Sequence, residues 1–262
     1  MAPARAPRRV GGLTTATPEQ RALALHHQWH ATVCDVHEPW AHGTVVRATN
    51  LPKYYDLNVL RVESDPGMSA RELIAFADEA LAGLEHRRID VEDGALGESL
   101  RAAFEQEGWL TERLVWMLHE AAPPPGPEVA VEEVPFDDVH ELRVAWHFED
   151  FPDLDPSAYL EQARSIAPLL RTRVLAVREG GRPVAYAQLN RMGGAAEIAQ
   201  VFVHPEYRGA GLGTAVTRAA IEAAGDPDEL LIVADDEGRP KELYRRLGFR
   251  PAWVAFEMLR LP

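Results

Sequence analysis

The sequence predicts an α/β fold, α+β in arrangement: a mixed, mostly antiparallel sheet flanked by helices, built in two tandem copies. Three observations lead there. The segment "EAAPPPGPE", residues 120–128, splits the 262-residue chain almost in half; its three consecutive prolines and Gly-Pro step can continue neither a helix nor a central strand. Residues 129–262 alternate β-rich runs with amphipathic helical stretches. Both halves end alike, in a short helix, a glycine, an aromatic residue and a strand.

Taken in order, residues 1–17 carry arginines ("MAPARAPRRVGG") with no apolar run behind them, which suits a disordered tail and not a secretory leader. The first copy occupies residues 18–119, the linker residues 120–128 and the second copy residues 129–262. "SLRAAFEQEGWLTERLVWML" (99–118) and "KELYRRLGFRPAWVAFEML" (241–259) align at an offset of 140: Phe104 with Tyr244, Gly108 with Gly248, Trp109 with Phe249. A glycine just past a helix supplies the left-handed cap; the aromatic after it is expected to bury against the sheet. In the second copy, residues 129–135 read as a strand and residues 137–149 and 157–170 as helices. Residues 173–204 read as three strands joined at Gly180-Gly181 and Gly193-Gly194, both hairpin signals. A helix over 212–224 turns Leu212, Val216, Ala219, Ala220 and Ala223 to one face. "LLIVA" (230–234) suits a strand covered on both sides, and a helix (239–247) and a strand (252–259) close the order.

Composition narrows the function. The chain is 46% hydrophobic and 26% charged, and no run of about 18 apolar residues exists, so no membrane span is expected. Net charge is -14, shared as -6 over residues 1–127 and -8 over residues 128–262. A nucleic-acid partner needs a basic face and is not expected. An acidic surface leans instead towards a cationic small molecule or a basic peptide. The lone Cys34 excludes an internal disulfide and any CxxC motif, which suits a reducing cytoplasm.

The chemistry centres on "VFVHPEYRGAGLGTAVTRAA", residues 201–220, where a β-rich run meets three glycines and then a helix. A nucleoside-triphosphate loop of the GxxxxGK[ST] type needs a lysine that is missing here. A GxGxxG dinucleotide fingerprint fails at Thr214 if begun at Gly209, and at Val216 if begun at Gly211. What remains is R-x-x-G-x-G, Arg208-Gly209-Ala210-Gly211-Leu212-Gly213, followed by Thr214. Without Cβ atoms the backbone can approach a ligand closely, the first helical N–H groups point at an anion, and Arg208 can add charge. A tight strand-to-helix turn with no ligand is the competing reading.

These residues resemble the GNAT superfamily of N-acetyltransferases. The resemblance covers about residues 128–262 and rests on the loop at 208–213, the preceding "VFVHPEYRG", the strand order and "LYRRLGF" (243–249). It implies that acetyl-CoA binds as co-substrate with its pyrophosphate on the loop. It also implies a strand before the loop that splays from its parallel neighbour, with main-chain groups of Val201, Phe202 and Val203 along the gap. No metal is expected. The first half keeps the Gly-aromatic ending but has no R-x-x-G-x-G; its corresponding region, residues 64–83, reads as helix with one early glycine. It is expected to be a degenerate copy that shapes the acceptor cleft.

Acetyl transfer to an amine needs a base, a polarised carbonyl and a stabilised leaving thiolate. The resemblance places the general acid at Tyr244, four residues before Gly248, where a phenol with a pKa near 10 donates at neutral pH. Glu197, on the strand before the loop, is the candidate base; strict alternation would put it on one face with Ala199, Val201 and Val203. His204 and Glu149 are substitutes. Where family members often carry an asparagine against the cofactor, this chain has Asp235, Asp236 and Glu237, and an ionised carboxylate cannot donate. For the acceptor, Glu149, Asp150 and Asp153 stand beside Phe148 and Phe151 and could hold a cation, while Asp155 reads equally as a helix cap. His26, His30 and Cys34 recur every four residues on one helix face, where ligands on consecutive turns cannot easily close a tetrahedron; a packed helix with Trp29 is the simpler reading.

The expected function is therefore acetyl transfer from acetyl-CoA to a primary amine of a small molecule or peptide, with the acceptor and the acyl length open and a homodimer allowed. An acyl-CoA sensor or pseudoenzyme is the alternative.

Overall fold

The computed structural model describes residues 16–126 and 129–262. The tail expected over residues 1–17 therefore lies outside the described residues except for Ala16 and Thr17, as do residues 127–128 of the linker. Thr17 is not tail: its side chain accepts from Gln20 N and caps the first helix.

The first half runs α1 (Pro18–Val33), β1 (Val36–Trp40), β2 (Gly43–Arg47), β3 (Asn58–Val62), α2 (Ala70–Ala80), β4 (Arg87–Val91), α3 (Gly94–Gln106) and β5 (Leu110–His119). The second runs β6 (Glu132–Val134), α4 (His140–Asp150), α5 (Ser157–Ile166), β7 (Arg173–Glu179), β8 (Arg182–Met192), β9 (Ala195–Val203), α6 (Leu212–Ala224), β10 (Leu230–Asp235), α7 (Pro240–Arg246) and β11 (Phe249–Arg260). The strand read over 129–135 shortens to β6, and the helix read from 137 opens with a 3-10 turn at Phe136–Val139. The helix read to 170 stops at Ile166, ahead of Pro168, which has no backbone N–H to continue the helical hydrogen bonds.

Among the described residues all strands join one sheet, ordered β1-β2-β3-β4-β11-β5-β10-β9-β8-β7-β6. Neighbours are antiparallel except β3 with β4 and β9 with β10. The order holds an exchange that the linear reading of two copies did not foresee. β5, the last strand of the first half, lies against β10 of the second; β11, the last strand of the second, lies against β4 of the first; and β5 and β11 pair with each other. Each half is thus completed by the other's final strand.

Both terminal strands start the same way. Gly108 and Gly248 adopt φ of 80° and 98° after α3 and α7, a left-handed conformation that glycine enters without penalty. A Cβ on Gly248 would also come within 1.8 Å of the Ala121 carbonyl oxygen. Trp109 and Phe249 then bury as expected, at 3% and 0% exposure.

One face of the second half packs against α6, whose Leu212, Ala215, Val216, Ala220, Ile221 and Ala224 are buried against β8 and β9. The opposite face carries α4, and α1 crosses from the first half to cover β5 and β11.

Candidate active site

The site forms where β9 and β10 part. Their parallel pairing runs from Ala196–Leu230 to Ile198–Ile232 and stops there. Beyond it, Ala199, Gln200 and Val201 on one strand and Val233, Ala234 and Asp235 on the other line a cavity of ≈ 580 Å³. The gap's cause is local. Gln188 of β8 pairs with Gln200, but Leu189 pairs with Ile198, so Ala199 is an extra residue in β9. Ile198 and Val201 consequently both face α6, although they are three residues apart.

That bulge corrects one expectation. Glu197 does not share a face with Val201 and Val203, because the extra residue inverts the alternation. Glu197 lies on the opposite face, in the wall of a second cavity of ≈ 380 Å³ that shares Tyr54, Asp56, Leu114, Trp146, Asp150 and Ala199 with the first. Burial, with Asp56 nearby, pushes the Glu197 carboxyl up to about 7. It makes no ion pair among the described residues.

Tyr244, on α7, lines the first cavity and is 7% exposed. Burial pushes its phenol up to about 12, so it stays protonated at neutral pH. Its position follows from α7 packing against β10 and β11, with Gly248 turning the chain immediately after.

The glycine loop enters α6 with Gly209 and Gly211 at φ of 84° and 80°. Gly211 is the N-cap residue and offers no side-chain cap, which leaves the first-turn N–H groups of Leu212, Gly213 and Thr214 for a ligand. A Cβ on Gly213 would meet Leu243 and Val203 at 3.6 Å, ordinary contact, so the protein itself does not demand glycine there. The corresponding crossover of the first half, β3-α2-β4, is closed. Ser69 and Glu72 form a capping box in which Glu72 Oε2 accepts from Ser69 N at 2.8 Å, placing the protein's own carboxylate where a phosphate would dock.

The remaining sequence candidates divide. Arg208 does not face the loop's N–H groups freely: it forms a bidentate pair with Glu149 at 2.8 and 2.6 Å, and its Nε donates to the Val203 carbonyl. Glu149 is thereby occupied, and Arg208 holds its carboxyl below the usual range. Asp150 lines both cavities; partial burial beside Glu112 and Glu149 pushes it up to about 6. Asp153 is exposed and lines neither, and Asp155 Oδ1, one residue before the Pro156 N-cap of α5, accepts from Ser157 N. Phe202 packs on the α4 side and beneath Arg208, and Ala210 is exposed in the loop. His204 caps the turn after β9 and lines neither cavity. Asp235 borders both cavities and accepts from Glu237 N, Asp236 pairs with Lys241 and Arg113, and Glu237 pairs bidentately with Arg101 of the first half.

The structure adds residues that the sequence reading missed. Tyr54, Asp56 and Glu112 come from the first half, Glu112 on the exchanged strand β5 and the other two from the segment before β3. Arg143, Trp146 and Tyr159 come from α4 and α5. Arg143 had a signal: it falls four residues after Val139 and three before Trp146, a charge on a buried stripe.

His30 packs against Trp29 at 5.2 Å between ring centroids and against His26 at 4.7 Å. Cys34 leaves their set and donates to the Leu57 carbonyl. Asp90 replaces it, its ligand atoms within 4.8 Å of those of His26 and His30. Burial holds both histidines neutral, His30 at about 3. Arg61 lies against His30 Nδ1 and Arg88 donates to Asp90 Oδ1, while His26 Nε2 and Asp90 Oδ2 have no hydrogen-bond partner among the described residues. No helix among the described residues is long and apolar enough to cross a membrane.

Comparison with known proteins agrees with this architecture. Residues 136–249 match the acetyltransferase (GNAT) family. An uncharacterized N-acetyltransferase of Methanocaldococcus jannaschii is 40% identical over 70 residues, which cover 25% of this chain and 30% of the relative's length. A conserved Staphylococcus epidermidis protein of unknown function superposes with TM-score 0.66 at 16% identity, over 85% of this chain and 92% of its own. A Drosophila protein superposes with TM-score 0.50 at 16% identity, over 77% and 69%. The two structures share the fold. Residues 136–249, somewhat under half of the chain, thus match a GNAT acetyltransferase domain.

Proposed function

We propose that the protein transfers an acetyl group from acetyl-CoA to a primary amine of a small molecule or peptide. The observation that carries this is the meeting of three features at one place: the parted β9 and β10, the uncapped start of α6 beyond β9, and Tyr244 in the wall of the resulting cavity. The α6 N–H groups would take the pyrophosphate and the parted strands the pantetheine arm, along Val201 and Val203. The amine nitrogen attacks the thioester carbon while Glu197 takes its proton, directly or through water. As the tetrahedral intermediate collapses, the C–S bond breaks and Tyr244 donates its proton to the sulfur.

Thiol release from acetyl-CoA across a panel of amines tests the reading, beside calorimetric titration with CoA. Amine-dependent release supports it. CoA binding without release by any amine would leave a sensor or pseudoenzyme, and absence of CoA binding would remove both.

A further inference from the structure

We propose that the acceptor is an amino acid, whose carboxylate is received by the guanidinium of Arg143 inside the cavity. The proposal rests on the acetyl-transfer reading above and narrows its substrate.

Among the described residues three arginines are buried: Arg61, Arg88 and Arg143. The fold gives two of them carboxylates. Arg88 is held by Asp56, Asp90 and Glu257, and Arg61 by Glu63. Arg143 makes no ion pair among the described residues. It is 4% exposed and lines the ≈ 580 Å³ cavity. Its guanidinium lies over the rings of Phe136 and Tyr186, at 4.0 and 5.1 Å from their centroids. Nη1 donates to Gln200 at 2.8 Å, while Nε and Nη2 have no partner. A buried cation with unused donors is unfavourable unless something supplies the missing charge. A carboxylate fits, because two parallel N–H···O bonds match the planar fork.

The same space carries the opposite pole. Glu112, Asp150 and Glu197 line the joined cavities and make no ion pair among the described residues. An ammonium is the charge they lack. The two poles share their walls: Tyr54, Trp146, Asp150 and Ala199 line both the cavity that holds Arg143 and the one that holds Glu197. A polyamine would satisfy the carboxylates but meet Arg143 as a like charge. The terminus of a long peptide would carry its carboxylate too far away.

The test titrates the full chain, with and without CoA, against the common amino acids, their decarboxylated amines and short polyamines. Thiol release is followed with the same compounds. At least one amino acid is expected to bind about tenfold tighter than its decarboxylated amine. Arg143→Gln is expected to erase that preference at unchanged CoA affinity. If that variant does not fold, Arg143→Lys serves: weaker amino-acid binding at unchanged CoA affinity supports the proposal, and equal binding overturns it. Binding of no amino acid, equal or tighter binding of decarboxylated amines or polyamines, or a preference that survives Arg143→Gln also overturns it. Arg143-dependent amino-acid binding without thiol release keeps the amino-acid site at Arg143 and sinks acetyl transfer; release with polyamines alone keeps acetyl transfer and sinks the amino-acid site.

Discussion

Trp116 and Trp253 stand directly opposite each other across β5 and β11, their ring centroids 4.2 Å apart, where the final strands of the two halves meet. Trp253 Nε1 also donates to the Glu92 carbonyl at 2.8 Å, tying the second half's last strand to the end of β4. Both rings are nearly buried, under α1. Trp253→Ala removes the pair and leaves that carbonyl unpartnered, so a loss of about 3–5 kcal/mol is expected. Chemical denaturation followed by circular dichroism measures it.

The exchange has a second consequence. Residues 129–262 expressed alone would leave β10 without β5 and β11 without β4, exposing strand edges at the middle of the sheet. The fragment is expected to aggregate, while the full chain unfolds in one cooperative transition. A soluble, monomeric fragment with native-like dispersion in its nuclear magnetic resonance spectrum would contradict this.

Tyr244→Phe deletes a hydroxyl that makes no hydrogen bond among the described residues, so little stability should change. If Tyr244 protonates the leaving thiolate, kcat falls about 10²–10⁴-fold with acetyl-CoA affinity retained. Because burial pushes the phenol up to about 12, wild-type activity should show no basic limb from this group below about pH 11. Steady-state kinetics with calorimetry separate the two effects.

What could be read from the sequence follows the range of the physics involved. The loop at 208–213 and the Gly108 and Gly248 turns were legible because left-handed glycines and helix periodicity are local signals. The strand exchange was not, since β5 and β10 carry the same apolar pattern whichever strand lies beside them. Glu112 opposite Glu257, a like-charge pair in neighbouring strands, is a register that pattern reading would disfavour. At Ala199 one extra residue moved Glu197 to the other face, and alternation cannot announce a bulge. Arg143 was visible as a charge on an apolar stripe, but its meaning depends on the carboxylate it lacks.

Gly213→Ala separates fold from ligand. The protein has room for the methyl group, so the melting temperature should hold within about 2 °C, while acetyl-CoA affinity drops about tenfold or more if a pyrophosphate approaches the backbone there. Gly211→Ala, at φ 80°, should lose about 1–2 kcal/mol of stability as well. Unchanged affinity in Gly213→Ala would remove the loop from the binding site.

Arg208 and Glu149 form a latch in this structure. If the guanidinium turns to the pyrophosphate on binding, Glu149→Gln frees it and tightens acetyl-CoA binding, whereas Arg208→Gln weakens it. Both side chains are close to half exposed, so the pair itself adds little stability. Titrations at low and moderate salt read the difference, which should shrink as salt rises.

Glu197 offers the sharpest pH test. Its carboxyl is pushed up to about 7 in the folded protein, from an ordinary value of 4.5, because burial and Asp56 disfavour the ionised form. The folded state therefore keeps a proton that the unfolded chain has lost between about pH 4.5 and 7. Stability from the neutral form is fully present below about pH 4.5 and is lost as pH rises through 7. Glu197→Gln cannot ionise, so it should gain on the wild type by about 1–3 kcal/mol between pH 5 and pH 8. Activity runs the other way. As a base Glu197 must be ionised, so kcat/KM should climb through an apparent pKa near 7, and Glu197→Gln should lose both that limb and most of the rate. Denaturation at the two pH values and a pH–rate profile make the comparison. A limb near 7 that persists in Glu197→Gln would assign it to another group, with Asp150, near 6, next in line.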